Sequence, residues 1–409
     1  MKEWKTYKLS EIAEIQTGPF GSQLHNNDYV DNGTPIVTVE HLGNRKFSTQ
    51  NLPCVSDADK ARLSKYILHE GDIVFSRVGS VDRCSYVSSD EDGWMFSGRC
   101  LRVRCNNMCN PLFLYYYFCK ETIKQYIRSI AVGATMPSIN TKLLSDLPIT
   151  LPSIDVQDKA VQILSRLDDK IELNRQINDN LEQQAQALYK SWFVDFEPFK
   201  GGEFIESEIG EIPTGWSIVK FGDIVEIPKK TINPQKFPDT IFNHYSLPAC
   251  DNGLIAEVQA GKDIMSNKII LQSNTTLFSK LNPRIKRIWF TCEVLPNSIC
   301  STEFIPYRAK IDTEYSYIFS IVNSDAFYSS VMGCVNGATG SHQRFHAEDT
   351  EDFLCAYNKD AVNKFSKLIE PVLKQMHDLR QENVKLALTR DTLLPKLMSG
   401  ELKINEIDC

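Results

Sequence analysis

In two long stretches of the chain, mostly apolar residues recur at steps that alternate between four and three residues. In the first stretch these positions are Ala160, Leu164, Leu167, Ile171, Asn174, Asn178, Leu181, Ala185, Leu188 and Trp192. In the second they are Val362, Phe365, Ile369, Val372, Met376, Leu379, Asn383, Leu386, Arg390 and Leu393. Polar residues surround both stripes. This spacing predicts two long helices with heptad seams, in which the asparagines would fix the pairing register.

The regions before these helices have a shorter and more mixed pattern. "GDIVFSRVG" from Gly71 and "TTLFSKL" from Thr275 cluster apolar and β-branched residues between Gly, Asn and Pro, which is typical of strands. Residues 110–130 and 315–334 are rich in aromatic side chains and predict buried helical stretches. Each region is therefore predicted to be a globular domain of the α+β class.

Short sequences recur in the same order in the two halves of the chain. "WKTYKLSEIAEI" from Trp4 matches "WSIVKFGDIVEI" from Trp216. Further on, Phe75-Ser76 matches Phe278-Ser279, residues 96–104 match residues 300–308, and Gly-Ala-Thr occurs at 133–135 and at 337–339. Ordered matches of this kind indicate a duplication, and they predict two domains related by pseudo-twofold symmetry.

The duplication divides the chain into four predicted segments. They are a first globular domain (1–152), a first helix (153–198), a second globular domain (199–358), and a second helix with a C-terminal tail (359–409). The simplest pairing of the helices is an antiparallel coiled coil between the domains. The alternative, in which each helix packs only on its own domain, is disfavoured because the helices are long for one small domain.

Composition limits the class of protein. The hydrophobic share of 42% and charged share of 24% are ordinary for a soluble protein, and the twelve cysteines form no regular framework, which predicts reduced thiols. No run approaches the roughly 20 apolar residues of a membrane span, and the N-terminus lacks a signal-peptide core, so we expect a cytoplasmic protein. The net charge of −7 argues weakly against a nucleic-acid partner, but local basic clusters carry more weight.

Several motifs, in one order, give the chain a specific resemblance. They are "IQTGPFGSQL" near the start, the two Gly-Ala-Thr turns, "ALYKSWFVDFEPF" (187–199), "CSTEFIP" (300–306) and "RDTLLPKLMSGEL" (390–402). With the duplication, they make the chain resemble the specificity subunit of type I restriction-modification systems over essentially its full length. The resemblance implies two target-recognition domains that each read half of a split DNA sequence, and an antiparallel coiled coil that spaces them.

The resemblance also implies partners and cofactors. The chain would dock two modification (methyltransferase) subunits and restriction/translocase subunits, and would neither methylate nor cut DNA itself. S-adenosylmethionine, ATP and Mg²⁺ would be bound by those partner subunits, with no cofactor in this chain. The partner-docking residues predicted at the helix ends are Trp192, Phe193, Leu393, Leu394 and Leu397.

The residues themselves offer no catalytic constellation. "NPLF" (110–113) lacks the second proline of a methyltransferase motif, and no phosphate-binding Walker loop is present. His342 and His346 have helical spacing without an obvious third ligand, so no metal site is predicted. Two alternatives to a specificity subunit stay open: a self-contained DNA methyltransferase with an unusual site, and a coiled-coil scaffold with no DNA role.

Basic and hydrogen-bonding residues are the predicted DNA contacts. "KLNPRIKRIWF" (280–290) holds four cations and no acid, and it follows a predicted strand, so phosphate neutralisation is its natural use against the alternative of a solvated loop. The predicted contacts also include basic residues from the first half of the chain. They further include hydrogen-bonding residues in and after both Gly-Ala-Thr turns. The full set is Arg45, Lys46, Arg77, Arg83, Thr135, Ser138, Asn140, Lys142, Lys280, Arg284, Lys286, Arg287, Thr339, Ser341, His342, Gln343 and Arg344.

The flanks of the two Gly-Ala-Thr turns differ. Arg344 has the donors to read guanine and Gln343 the groups to read adenine in the major groove, whereas the alternative role for each turn is to close its domain. A helix of about 38 residues would be about 57 Å long and would hold the two domains over separate DNA segments. The target is therefore predicted to be asymmetric and bipartite, with an unread spacer.

Overall fold

The chain folds into two compact units. The computed structural model describes residues 4–21, 23–43, 45–335 and 343–402. Unit 1 joins Met1–Asp168 with Leu388–Cys409, and unit 2 spans Asp169–Ala387. Both long helices cross the boundary between the units, so each unit contains a segment of each helix. The units therefore divide the chain differently from the four predicted segments, which assign each helix to a segment of its own.

Unit 1 mixes short strands and helices. Its strands are β1 (Lys5–Lys8), β2 (Ala13–Thr17), β3 (Tyr29–Val30), β4 (Thr34–Val37), β5 (Cys54–Val55), β6 (Ile73–Ser76), β7 (Cys84–Tyr86), β8 (Met95–Phe96), β9 (Cys100–Cys105) and β10 (Pro148–Leu151). Its helices are α1 (Leu9–Ile12), α2 (Asp57–Arg62), α3 (Pro111–Cys119), α4 (Glu121–Ile130), α5 (Thr141–Ser145) and the first part of α6 (Ile154–Phe193). Single 3-10 turns join several of these elements.

The central sheet of unit 1 has the strand order β2-β9-β6-β7 and is antiparallel throughout. A second sheet, β3-β5-β4-β8, contains one parallel pair, and β1 pairs with β10. All four residues of β6 are buried, as its continuous apolar run predicts for a strand covered on both faces. Helix α3 covers one side of this core with Phe113, Tyr116 and Phe118.

Unit 2 repeats this plan with a larger second sheet. Its strands are β11 (Phe204–Ser207), β12 (Gly210–Pro213), β13 (Ser217–Lys220), β14 (Val225–Glu226), β15 (Thr231–Ile232), β16 (Ile241–Tyr245), β17 (Glu257–Ala260), β18 (Lys268–Ile270), β19 (Thr275–Ser279), β20 (Ile288–Thr291), β21 (Ser298–Ser301), β22 (Phe304–Ala309) and β23 (Leu354–Tyr357). Its helices are α7 (Phe221–Ile224), α8 (Leu247–Asp251), α9 (Tyr315–Asn323), α10 (Asp325–Gly333), and parts of α6 and α11 (Lys359–Ser399).

The central sheets of the two units correspond strand by strand. The order β14-β22-β19-β20 in unit 2 matches β2-β9-β6-β7 in unit 1, and β13 pairs with β23 as β1 does with β10. The register agrees as well, because Glu14 lies opposite Arg104 and Glu226 lies opposite Arg308. The duplication read from the sequence is therefore present in the fold, and the α+β class is confirmed.

The predicted aromatic helical stretches each divide into two helices. Asn110 accepts hydrogen bonds from Leu112 and Phe113 at the start of α3, where Pro111 occupies the first turn without loss of a bond. In unit 2, Ser324 ends α9 in an extended conformation and caps α10 by accepting from Phe327. The cap at Ser324 marks the break between α9 and α10, where a side chain competes with the helix for a backbone group, whereas the break between α3 and α4 is at Lys120, whose backbone is extended and whose side chain does not cap α4.

The two long helices pack side by side and antiparallel within unit 2. The Asn174 Nδ2 donates to Asn383 Oδ1 over 2.9 Å, whereas near the other end of the segment Tyr189 contacts Phe365 with ring centroids 6.2 Å apart. Asn174 is fully buried and Asn383 is 8% exposed, so both asparagines lie in the seam as predicted. Farther along α6 the buried positions become Ala185, Tyr189 and Phe193, because this part of the helix also packs into the sheet core.

Unit 1 contains the remaining segments of both helices. Ala160 and Leu164 of α6 lie in the same core as Leu394, Leu397 and Met398 of α11. Neither helix therefore packs on one domain alone.

Candidate nucleic-acid interface

The same loop scaffold follows the central strand in both units. β6 ends at Ser76, whose Oγ donates to the carbonyl of Val78 over 2.7 Å, and β19 ends at Ser279, whose Oγ donates to the carbonyl of Leu281 over 3.0 Å. The next backbone N–H also has an equivalent partner in each unit. The backbone N–H of Arg77 donates to the carbonyl of Arg99 over 2.8 Å, and the backbone N–H of Lys280 donates to the carbonyl of Glu303 over 2.9 Å.

The segment after each Gly-Ala-Thr turn packs on this scaffold. The backbone N–H of Gly79 donates to Pro137 over 2.8 Å, and that of Asn282 donates to Gln343 over 2.9 Å. Gly79 and Asn282 both have positive φ, +74° and 48°, a conformation that glycine and asparagine adopt most readily. We call these regions the loop ends: residues 18–21, 77–83, 97–99 and 132–139 in unit 1, and residues 280–287, 301–303 and 343–344 in unit 2.

The loop end of unit 1 is built on close backbone contacts. A Cβ atom at Gly18 would lie 2.2 Å from the carbonyl oxygen of Ser97, and one at Gly98 would lie 2.2 Å from that of Pro19. Such contact admits only glycine, which accounts for the glycine at each of these two positions. Arg77 then crosses the face of Phe20 at 5.5 Å and donates to the carbonyl of Gly98 over 3.2 Å.

The outer surface of this loop end is partly apolar. Phe20, Val132 and Met136 are 55%, 63% and 66% exposed. Beside it lies a cleft of about 520 Å³, whose lining includes Phe20, Thr38, Glu40, Asn51 and Arg99. Cationic, acidic and aromatic groups thus share one concave surface, which suits the recognition of a ligand with both flat and polar edges.

The residues predicted after the first Gly-Ala-Thr turn occupy different environments. Thr135 is exposed at the loop end, and Ser138 Oγ donates to the carbonyl of Val132 over 3.1 Å. Asn140 caps α5 by accepting from the backbone of Leu143 over 2.9 Å, so its side-chain oxygen is already engaged. Lys142 is exposed in the first turn of α5.

The other basic residues predicted in unit 1 are less available. Lys46 forms an ion pair with Asp90 over 3.0 Å, and Arg83 donates to the carbonyl of Leu42. Arg45 lines a separate cavity of about 730 Å³ that also includes Tyr116. Among these predicted cations, Arg77 is the one whose side chain lies at the loop end against an exposed aromatic ring.

The basic cluster of unit 2 divides into two kinds of residue. Arg287 is 14% exposed and binds both carboxylate oxygens of Asp251, over 2.6 and 2.9 Å, and Lys286 donates to the carbonyl of Asn323 over 2.6 Å. Burial lowers the pKa of Lys286, whereas the hydrogen bond that Arg287 donates to Asp251 raises the pKa of Arg287. Arg284 is exposed, Lys280 is half-buried, and neither side chain has an ion-pair partner among the described residues.

The donor-rich stretch of unit 2 is described only in part. Thr339, Ser341 and His342 lie outside the described residues. The carbonyl of Gln343 accepts from Asn282, and Arg344 donates through Nε and Nη2 to the two carboxylate oxygens of Glu303, over 3.1 and 3.2 Å. The hydrogen bond to Glu303 raises the pKa of Arg344.

The predicted docking residues at the helix ends are mostly core residues. Phe193, Leu394 and Leu397 are 4%, 7% and 1% exposed and pack inside their units, whereas Trp192 and Leu393 are partly buried. Among these five residues, Trp192 and Leu393 keep part of their surface exposed, because the cores of the two units cover the others. A docking role for these residues stays a prediction.

The loop ends also contain Arg99, Glu303 and Phe20, which are not among the predicted DNA contacts. Arg99 and Glu303 occupy the same position in the matched segments 96–104 and 300–308, and a reversal of charge at equivalent positions was the available signal. Phe20 lies within "IQTGPFGSQL", where an aromatic residue beside glycines was the signal.

The described residues also limit other kinds of site. Within them, no three His, Cys, Asp or Glu side chains come together as metal ligands would. Among the same described residues, no helix is both long and apolar enough to cross a membrane.

Comparisons with known proteins place this architecture. Residues 1–183 match the family model for the type I restriction modification DNA specificity domain. The MjaIX specificity subunit of Methanocaldococcus jannaschii is 24% identical over 422 residues, covering 99% of this chain and 95% of the relative. The HindI specificity subunit of Haemophilus influenzae is 33% identical over 204 residues, covering 49% of this chain and 43% of the relative.

A solved structure shares the fold across both halves. The S subunit of a type I restriction-modification system from M. genitalium aligns with a TM-score of 0.56 at 14% identity, covering 97% of this chain and 96% of that one. The duplicated fold, the family model and the full-length relative agree with one another. Residues 1–183 thus match the type I restriction modification DNA specificity domain, and the chain is similar over nearly its full length to type I restriction enzyme specificity subunits.

Proposed function

We propose that this chain selects the DNA target of a multisubunit type I restriction-modification complex, with each loop end reading one half of an asymmetric bipartite sequence. The observation that carries the proposal is that one scaffold of backbone hydrogen bonds occurs twice, with different side chains on it. Ser138 and Arg344 occupy equivalent positions, as do Arg99 and Glu303. Two similar frames with different donors and acceptors suit two different base sequences.

The proposal assigns the chemistry to other subunits. The chain would dock two modification subunits and the restriction subunits, and those partners would bind S-adenosylmethionine, ATP and Mg²⁺. The helix pair, which joins both units through α6 and α11, would set the separation of the two half-sites. The loop ends supply exposed cations, such as Arg284 and Arg99, for contact with phosphates and base edges.

A selection experiment tests this proposal. The full chain, co-expressed with the modification subunits of its own system, would be incubated with random double-stranded DNA, and bound DNA would be sequenced. We expect one asymmetric motif with two specified parts and an unspecified spacer, and binding that weakens as salt rises. A bound pool without sequence preference would contradict the proposal.

A second assay separates the specificity subunit from a self-contained methyltransferase. The purified chain alone would be mixed with the selected DNA and S-adenosylmethionine carrying a labelled methyl group. We expect label in DNA only when the modification subunits are added. Label transferred by the chain alone would contradict the non-catalytic role.

A further inference from the structure

The two loop ends differ in charge at equivalent positions. Backbone hydrogen bonds align Arg99 with Glu303. The carbonyl of each accepts from the backbone N–H of the residue that follows the serine at the end of β6 or β19. Isolated bridges likewise align Ser138 with Arg344, since Ser138 pairs with Val78 and Arg344 with Leu281. Each loop end therefore has one arginine at these two positions. In unit 1 it is at the first position, as Arg99, and in unit 2 it is at the second, as Arg344.

In unit 2 the arginine is held by a carboxylate. Glu303 accepts from Arg344 Nε and Nη2, and the Arg344 side chain keeps 42% of its surface exposed. A guanidinium has five N–H donors, so this pairing leaves the two N–H groups of Nη1 and the second N–H of Nη2 for a ligand. The carboxylate also fixes the plane of the guanidinium, which reduces the entropy lost when a ligand binds.

In unit 1 the arginine lies in the cleft. Arg99 is exposed, lines the cleft together with Glu40 and Thr38, and has no ion-pair or hydrogen-bond partner for its side chain among the described residues. The backbone N–H of Arg77 donates to the carbonyl of Arg99, and Phe20, whose ring contacts the Arg77 side chain, also lines the cleft. All five donors of Arg99 are thus available to a ligand that enters the cleft.

We propose that Arg99 is a specificity-determining residue of unit 1, which donates two parallel hydrogen bonds to a guanine edge in the major groove, and that Arg344 has the same role in unit 2. This inference rests on the proposed function. A carboxylate accompanies each arginine, Glu40 in the cleft and Glu303 beside Arg344. A carboxylate on the same surface repels a phosphate, whereas it leaves the neutral acceptors N7 and O6 of guanine as suitable partners.

Selection with single variants of the co-expressed complex tests the inference. Arg99→Ala should lose a guanine preference at one position in one half of the motif and weaken binding to the wild-type motif roughly tenfold to a hundredfold. Arg344→Ala should lose a guanine preference in the other half. Arg99→Lys should lose the preference while keeping the salt dependence of binding, because lysine keeps the charge but lacks the planar pair of donors.

Arg166→Ala is the matched control, because Arg166 is an exposed arginine of unit 1 on α6, outside the loop end. It should leave every base preference unchanged. If Arg99→Ala weakens binding uniformly, with a shallower salt dependence and intact base preferences, Arg99 contacts phosphate and the inference is wrong. A wild-type complex that selects no motif overturns the proposed function and this inference together, whereas a wild-type motif that survives Arg99→Ala overturns this inference alone.

Discussion

At the scale of single residues, Asp168 connects three parts of unit 1. This carboxylate is 9% exposed and accepts from Tyr116 Oη and from Arg390 Nη1, each over 2.7 Å. Burial and the charge of Asp168 raise the pKa of Tyr116, so the phenol stays protonated and donates. Asp168 thereby joins α3, α6 and α11 through hydrogen bonds to partly or fully buried groups.

Replacing Asp168 should be costly. Asp168→Ala would leave the hydroxyl of Tyr116 and the guanidinium of Arg390 without their acceptor, and we expect a loss of about 2–4 kcal/mol in the free energy of unfolding. Urea denaturation of the full chain would measure it. Asp391→Ala is the control, because Asp391 also pairs with Arg390 but is 61% exposed, and its loss should cost less than about 1 kcal/mol. Equal losses in the two variants would contradict this account.

At the scale of elements, the asparagine pair gives the seam of the long helices a polar contact. Asn174 Nδ2 donates to Asn383 Oδ1 and also to Glu382 Oε2, over 2.9 and 2.8 Å, and Asn383 Nδ2 donates to the carbonyl of Ile171 over 3.3 Å. These bonds form at one alignment of the helices. The pair therefore favours a single register, as a buried asparagine does in coiled coils.

A double-mutant cycle tests this contact. Asn174→Leu or Asn383→Leu alone should lower the free energy of unfolding by about 1–3 kcal/mol, because one amide remains buried without its partner. The double variant should recover most of this loss, with a coupling energy of about 0.5–3 kcal/mol. Thermal or urea denaturation of the four proteins would supply the cycle. Additive losses would mean that the two asparagines do not interact.

The sequence predicted elements better than contacts, for a physical reason. The heptad stripes span many turns, so their periodicity identifies α6 and α11 without any tertiary information. The fate of a cation depends instead on what the fold brings beside it. The sequence did not indicate that Arg287 and Arg344 are paired with carboxylates. Their partners, Asp251 and Glu303, are distant in the chain and are brought near by the fold.

The same limit applies to burial at the helix ends. Phe193 and Leu397 are apolar and near an end, which predicted a surface for partners. Core residues from distant parts of the chain cover them in each unit, and such long-range contacts do not follow from local periodicity. The repeat was more informative, since it already aligned Arg99 with Glu303 before the backbone hydrogen bonds did.

At the scale of the whole molecule, the length of the two helices should set the spacer. Inserting seven residues at matched points of α6 and α11 keeps the heptad register and adds about 10.5 Å to each helix. We expect the selected motif to keep both half-sequences while its spacer grows by about three base pairs, at about 3.4 Å each. An insertion of seven residues in α6 alone should shift the seam and destabilise the protein. An unchanged spacer in the doubly lengthened chain would contradict this role of the helices.

Methylation-aware sequencing of the host genome, with and without the gene for this chain, tests the central claim most directly. If the chain selects a bipartite target through two different loop ends, one asymmetric motif with an unread spacer should be methylated when the gene is present. That methylation should disappear when the gene is deleted and the modification genes are kept. A methylation pattern that is the same in both strains would contradict the account.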